Sequence, residues 1–220
     1  MLTELAGLHA TLPSIAWHFG VTGFAIAMAF SPGPNNLMVA ASGANFGFRR
    51  TQAHVAGVTL GCILLLVATA IGLARVFAAI PGFHDGLRWI GAAYLAWLAW
   101  RLASAPAPDA ADQSARAGTS SARPMTALEA ALFQWVNPKA WVITTGLVAT
   151  YLSEGAEGGQ FWVELVLLVI VITICTLGSM TIWCLAGVAI GRWLRRPGAR
   201  RLFNWTMAGL LLMSLVPIFL

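Results

Sequence analysis

"FSPGPNNLM" (Phe30–Met38) lies inside an apolar run that extends from Ile15 to Phe48. Proline removes a backbone donor and clashes with the preceding turn, and glycine frees the backbone, so a helix entering this stretch stops there. Pro34-Asn35 is suited to restarting it, because proline at the first helical position loses no needed N–H. In an apolar surrounding such a break survives only where protein or a wet cavity satisfies the freed backbone groups. The fold therefore turns on whether this break has a counterpart.

Composition sets the class. Of 220 residues, 59% are hydrophobic and only 10% charged, against about 25% charged in soluble domains, so the chain reads as an integral membrane protein. Its net charge of +5 does not point to nucleic acid, because the arginines sit beside apolar segments and form no basic patch with interleaved aromatics. Cys62, Cys175 and Cys184 lie in apolar segments without CxxC spacing and read as packing residues. The start, "MLTELAGLHATLPS", has no basic n-region and no A-x-A site, so no removable signal peptide is expected.

A bilayer core of about 30 Å asks for about 20 apolar residues per helix. Six spans follow: 15–48, 55–80, 87–103, 128–152, 161–192 and 202–220. "YLAWLAWR" closes the third with an aromatic and arginine anchor. The linker "SAPAPDAADQSARAGTSSARP" is small, polar and proline-bearing, a loop and not a domain. The connections after the odd-numbered spans carry Arg49, Arg50, Arg101, Arg116, Arg123, Arg192, Arg195, Arg196, Arg200 and Arg201, while the opposite side holds Arg75 and Arg88 with Glu4, Asp85, Glu154 and Glu157. The positive-inside rule then places the odd loops in the cytoplasm and both termini on the outer, periplasmic side.

Six spans halve into two sets of three, and an odd number per half forces inverted orientation, as in many secondary transporters. The expected fold is all-α: one transmembrane domain over 1–220, with repeat 1 at 15–103, a cytoplasmic linker at 104–127 and repeat 2 at 128–220. "TLG" recurs at Thr59–Gly61 and Thr176–Gly178, and "GAAYL" (Gly91–Leu95) matches "AGLLL" (Ala208–Leu212) at the same offset. The stronger correspondence is "VNPKA" (Val136–Ala140) in span four, the counterpart of "SPGPNN" in span one. Helices 1 and 4 are expected to break near the midplane, and matched interruptions of this kind mark transporter binding sites.

Asn137-Pro138 has the order of a helix start, with Asn capping and Pro at the first position. If both half-helices begin near the midplane, their positive dipole ends meet there, and Lys139 adds a cation whose burial costs roughly 2.5–3.5 kcal/mol on insertion scales. The candidate substrate-binding residues are Pro32, Gly33, Pro34, Asn35, Asn36, Gln134, Asn137, Pro138 and Lys139, with Asn35 and Asn137 facing each other. No Asp or Glu lies deep in a span, since Glu129 and Glu164 sit at span ends. That disfavours a divalent-metal site and favours a zwitterion with a carboxylate and a neutral side chain. No cofactor is implied. A plain kink is the competing reading of each break, and Ser31 with Lys139 has the residue types of a Ser–Lys nucleophile pair, yet nothing else marks an enzyme. Trp97, Trp100, Trp135 and Trp141 read as interface or packing aromatics, with the two flanking the fourth-span break the exceptions to watch. His54 reads as a solvated cytoplasmic-end residue, and Gly43, Gly47, Gly57 and Gly61 as points of close helix approach.

Taken together, "SPGPNNLMVAASGANFGFRRTQAHVAGVTLG", "GAAYLAWLAWRL", "FQWVNPKAW" and "GRWLRRPGARRLFNWTMAGLLL" resemble the lysine exporter (LysE/RhtB) family of bacterial amino-acid exporters. They run in the family's order from about Phe24 to the C-terminus. The resemblance implies six transmembrane helices and outward transport of amino acids or close derivatives driven by an ion gradient. It implies binding roles for Pro32, Gly33, Pro34, Asn35, Asn137, Pro138 and Lys139. Within the family the branch exporting cysteine and O-acetylserine is most similar, with Pro138 and the residues before Ile15 as departures.

The expected protein is thus an inner-membrane exporter of neutral amino acids with Lys139 at the substrate carboxylate and as a proton-coupling group. A channel or metal-ion transporter on the same scaffold is the alternative. Its partners are a small amino acid, protons, the lipid bilayer and, where it oligomerises, further copies of itself. A topology reporter fused after Leu220 is expected to signal the periplasm, and one inserted in the 104–127 linker the cytoplasm; the reverse pair would invert the assignment.

Overall fold

A computed structural model describes residues 13–73, 79–80, 82–104, 123–153, 159–194 and 197–216. Among them there are helices and no strands: α1 Ile15–Phe30, α2 Pro34–Ala70, α3 Phe83–Ala103, α4 Ala127–Gln134, α5 Pro138–Tyr151, α6 Gly159–Trp193 and α7 Pro197–Met213. By length and apolar composition α2 and α6 are the two clear membrane-crossing candidates. Arg75, Arg116, Arg195, Arg196, Glu4, Glu154, Glu157 and most of the linker lie outside the described residues.

The break in the first span is present, with α1 ending at Phe30 and α2 starting at Pro34. Its counterpart separates α4 from α5. The interruption after Phe48 takes another form. α2 contains one non-helical residue, Gly47, at φ 80° and ψ 172°, a region open to almost no residue but glycine. Ser42 and Thr51 hydroxyls lie 2.9 Å apart across it, although nine residues of straight helix would separate them by roughly 13 Å. Met38 and Val39 share a core cluster with Val55 and Val58. The chain therefore doubles back at Gly47, and α2 is two antiparallel arms, residues 34–46 and 48–70. Gly47 is the turn itself and touches no neighbour, which corrects its reading as a point of helix approach.

The other three glycines do sit at close approaches. A Cβ on Gly43 would overlap the Cys184 carbonyl, and on Gly57 or Gly61 the backbone of Ala127 or Ala131. The four-residue spacing of the last two matches that of the alanines, so one stripe of the 48–70 arm lies flat on α4. Gly187 and Gly191 of α6 do the same against Ala40 and Ala44 of the 34–46 arm.

Two boundaries differ from expectation. The 48–70 arm ends at Ala70, ten residues before Ile80, in a turn at Ile71–Gly72. α7 begins at Pro197, so Arg200 and Arg201 are helical; proline at the first position favours that earlier start.

Packing forms two layers. A cluster including Met38, Val58, Leu95, Phe133, Cys184 and Leu211 lies toward Gly47. A second, including Val21, Leu66, Leu147, Leu168 and Ile172, lies toward the other end. Both breaks fall between them. The outward faces are apolar, with Ile15, Phe19, Leu128, Ile174 and Trp193 exposed, a surface suited to lipid. Arg200 donates to the carbonyls of Ala44 and Gly191, and Arg101 and Arg123 line a cavity with Asn45 and Phe46. With Arg49 and Arg50 beside the turn, these arginines gather at the Gly47 end.

Gly47→Ala should lower unfolding stability in detergent by about 1–3 kcal/mol, the usual cost of a forced backbone region. Gly23→Ala, inside α1 with nothing near its Cβ position, should leave stability unchanged or raise it by about 0.5–1 kcal/mol. Equal responses of the two variants would contradict the turn.

Candidate functional site

The site is built from the backbone groups that the breaks set free. The last carbonyls of a helix lack intrahelical donors, and at the end of α1 most of them are paired. Ala27 O accepts the Ser31 N–H at 3.1 Å and Met28 O the Ser31 hydroxyl at 2.9 Å. Ala29 O accepts Asn36 Nδ2 at 2.9 Å and the Ser179 hydroxyl of α6 at 2.7 Å. Ser31 O accepts Lys139 Nζ at 2.6 Å, and the same ammonium donates to Ser31 Oγ at 2.8 Å.

The second break is tighter. Trp135, Val136 and Asn137 N–H groups donate to Leu132, Phe133 and Gln134 carbonyls, three residues back in each case, the short-turn pattern that often finishes an α-helix. Asn137 then caps α5 through its Oδ1, which accepts the Lys139 N–H at 3.2 Å, with Pro138 first in the helix. Trp141 Nε1 donates to Trp135 O at 2.8 Å, so these two tryptophans staple the break. A Cβ on Gly91 of α3 would overlap the Val136 carbonyl, which holds α3 against the same turn.

The breaks meet through amides. Asn35 Nδ2 donates to Gln134 Oε1 at 2.8 Å, and Gln134 Nε2 returns a bond to Asn35 Oδ1 at 3.2 Å. Two more donors reach the same Gln134 oxygen, Asn137 Nδ2 at 3.5 Å and Cys62 Sγ at 3.7 Å. Asn35 and Asn137 thus converge on the Gln134 side chain rather than on each other. Gln134, Asn137 and Asn36 are buried, and burial makes satisfied amides costly to disturb.

Lys139 is placed against the usual rule. It is the second residue of α5, where the helix dipole disfavours a cation. Its ammonium instead lies at the C-terminal end of α1, where carbonyl dipoles favour one. A Cβ on Gly33 would lie 2.9 Å from Lys139 Cδ and 3.0 Å from Nζ, so glycine there admits the lysine. The Ser31–Lys139 contact is the one a nucleophile pair would need, but the Ser31 hydroxyl proton is already given to Met28 O.

Of the sequence-predicted residues, Asn35, Asn36, Asn137 and Lys139 line one cavity of about 40 Å³ with Cys62 and Thr176, room for a water or two. Gln134 joins the amides from the side. Pro34 and Pro138 start the half-helices. Pro32 and Gly33 line a larger apolar cavity of about 490 Å³ beside Trp183 and Phe203, while the Cβ position of Gly33 is turned to Lys139. Sequence reasoning did not select Cys62, Thr176 or Ser179. The last two lie in and beside the repeated "TLG" of α6, a signal that could have found them.

Comparison with known proteins gives the family. The family of LysE type translocators matches residues 26–219. The cysteine/O-acetylserine efflux proteins of Escherichia coli K12 and of strain O139:H28 are each 30% identical over 95% of this chain and 98% of their own length. That of Shigella flexneri serotype 5b is 30% identical over 89% of this chain and 94% of its own. These relatives are named as efflux proteins, not enzymes. No solved structure matches. The chain belongs to the LysE type translocator family, membrane transporters whose apolar helical build it shares.

Proposed function

We propose that the chain is a multi-pass inner-membrane secondary transporter that exports neutral amino acids or close derivatives of the cysteine and O-acetylserine class. The observation that carries this is the meeting of two helix breaks at Lys139 and Gln134. The relatives' names supply the substrate class. Pro34 and Pro138 each open a half-helix at the junction, so the positive dipole ends of both half-helices lie beside the cavity that Asn35, Asn137 and Lys139 line. A substrate carboxylate entering there would take Lys139 from the Ser31 carbonyl and lie against those positive helix ends. The Ser31 carbonyl released by the lysine would accept the substrate ammonium.

The same exchange gives a route to transport. With Lys139 on Ser31, α1 and α5 are tied together across the junction and the cavity is small; with Lys139 on substrate, that tie is gone. Two inverted three-helix halves would rock about the junction, with the Gly47 end cytoplasmic and both termini periplasmic. Lys139 would carry the coupling proton. The gathering of arginines at the Gly47 end supports that orientation.

Lys139→Met should reduce cysteine and O-acetylserine efflux from loaded vesicles roughly ten- to hundredfold in kcat/KM, the worth of a hydrogen bond to a charged group. It should also flatten the response to an imposed pH gradient. Lys139→Arg should restore part of the rate and none of the gradient response. Unchanged efflux with unchanged pH dependence in Lys139→Met would end the assigned role, and metal-dependent flux without amino-acid efflux in the unsubstituted chain would favour the channel or metal-transporter alternative.

A further inference from the structure

Another cavity, of about 210 Å³ and mostly apolar with a few polar groups in its wall, lies at the Gly47 end of the bundle, away from the junction. The 34–46 arm lends it Ser42 and Asn45, the 48–70 arm His54, α3 Arg101, and the approach to α4 Arg123. His54 is 1% exposed, and neither ring nitrogen has a hydrogen-bond partner among the described residues. This corrects its reading as a solvated residue. Leaving a buried polar group unpaired costs about 1–3 kcal/mol, and an imidazole offers both a donor and an acceptor, or two donors when charged. His54 also lines the cavity, so a polar guest held there is the nearest group able to satisfy it.

The charges say which kind. Arg123 is held by Glu129 through two bonds, 2.7 and 2.6 Å, so that pair is neutral overall. Arg101 lies over the Trp97 ring at 5.0 Å and has no carboxylate partner among the described residues, which leaves one positive charge for an anion. Asn45, which lines the cavity, spends its amide nitrogen on Ala41 O and Asn204 Oδ1, which leaves its carbonyl oxygen as the acceptor. Guanidinium on one side, with an amide oxygen and an imidazole on the other, is a complementary frame for a carboxylate and an ammonium on one small molecule.

Helical register links this cavity to the junction. Asn45, Ser42, Met38 and Asn35 fall at three- and four-residue intervals on one face of the first arm, and His54, Val58 and Cys62 at four-residue intervals on the facing arm. The outer members of both stripes line the cavity at the Gly47 end, and Asn35 with Cys62 lines the junction cavity. Eight residues of helix place the two about 12 Å apart. Between them stand Met38 and Val58, both buried in the core.

We propose that this cavity is a loading site that binds the carboxylate and ammonium groups of the exported amino acid before it reaches the junction, Met38 and Val58 being the side chains that separate the two. The substrate class rests on the export reading above; the site rests on His54 and Arg101. The test uses the full chain in lipid nanodiscs with ring-¹⁵N histidine, O-acetylserine as ligand and fixed pH. His54 is assigned by His54→Gln or, if that variant does not accumulate, by a variant lacking His9, His18 and His84. O-acetylserine should shift the His54 ring signals saturably, Arg101→Gln should weaken that response about tenfold, and the same variant should raise the efflux KM at the cytoplasmic face by a similar factor. His54 signals unmoved at ligand concentrations that saturate efflux, or equally responsive in Arg101→Gln, would overturn the site. A His54 response in a chain that exports no amino acid would instead sink the export reading and leave the site standing.

Discussion

The backbone hydrogen bond is the constraint on which the molecule depends. In an apolar bundle a freed carbonyl or N–H cannot turn to water, so each helix break has to be closed by something specific. At the end of α1 the closing groups are Ser31, Asn36, Ser179 and the Lys139 ammonium. The last three come from three other places in the chain, and each is polar because it must be. The site is therefore not an insertion into a finished core. Its polar residues are the ones that let the breaks exist.

Close helix contact is the second requirement, because these bonds need short reach. Gly57 and Gly61 press the 48–70 arm onto α4, which brings Cys62 to Gln134. Gly43, Gly187 and Gly191 press the 34–46 arm onto α6, and that same packing holds Ser179 by Ala29. Gly33 yields its side-chain space to Lys139. Small residues here set distances between polar groups far along the same helices, so a change at a glycine would be felt at the amides.

Much of this was legible beforehand. The breaks could be read from Pro34 and Pro138 because proline acts through its own ring, with no knowledge of neighbours. Asn137 as a cap followed from its place before proline. The reversal at Gly47 was expected only as a loop after Phe48, since sequence does not announce that a single glycine will carry the whole turn. The Asn35–Asn137 pairing was expected as direct, whereas Gln134 stands between them, a matter of side-chain length and approach angle. His54 was misjudged because two adjacent arginines suggest solvent, while burial is decided by which helix packs over it.

The sequence by itself determined the class of protein, the matched breaks and the residues able to cap them, because hydrophobicity, proline geometry and capping act over a few neighbouring positions. Tertiary structure decided what those residues bond to. Lys139 lies in the first turn of one half-helix and neutralises the end of another that lies 108 positions away in the chain. Such a partnership exists only once packing has brought two helix ends together, since dipole and hydrogen-bond contacts fade within a turn of the helix end.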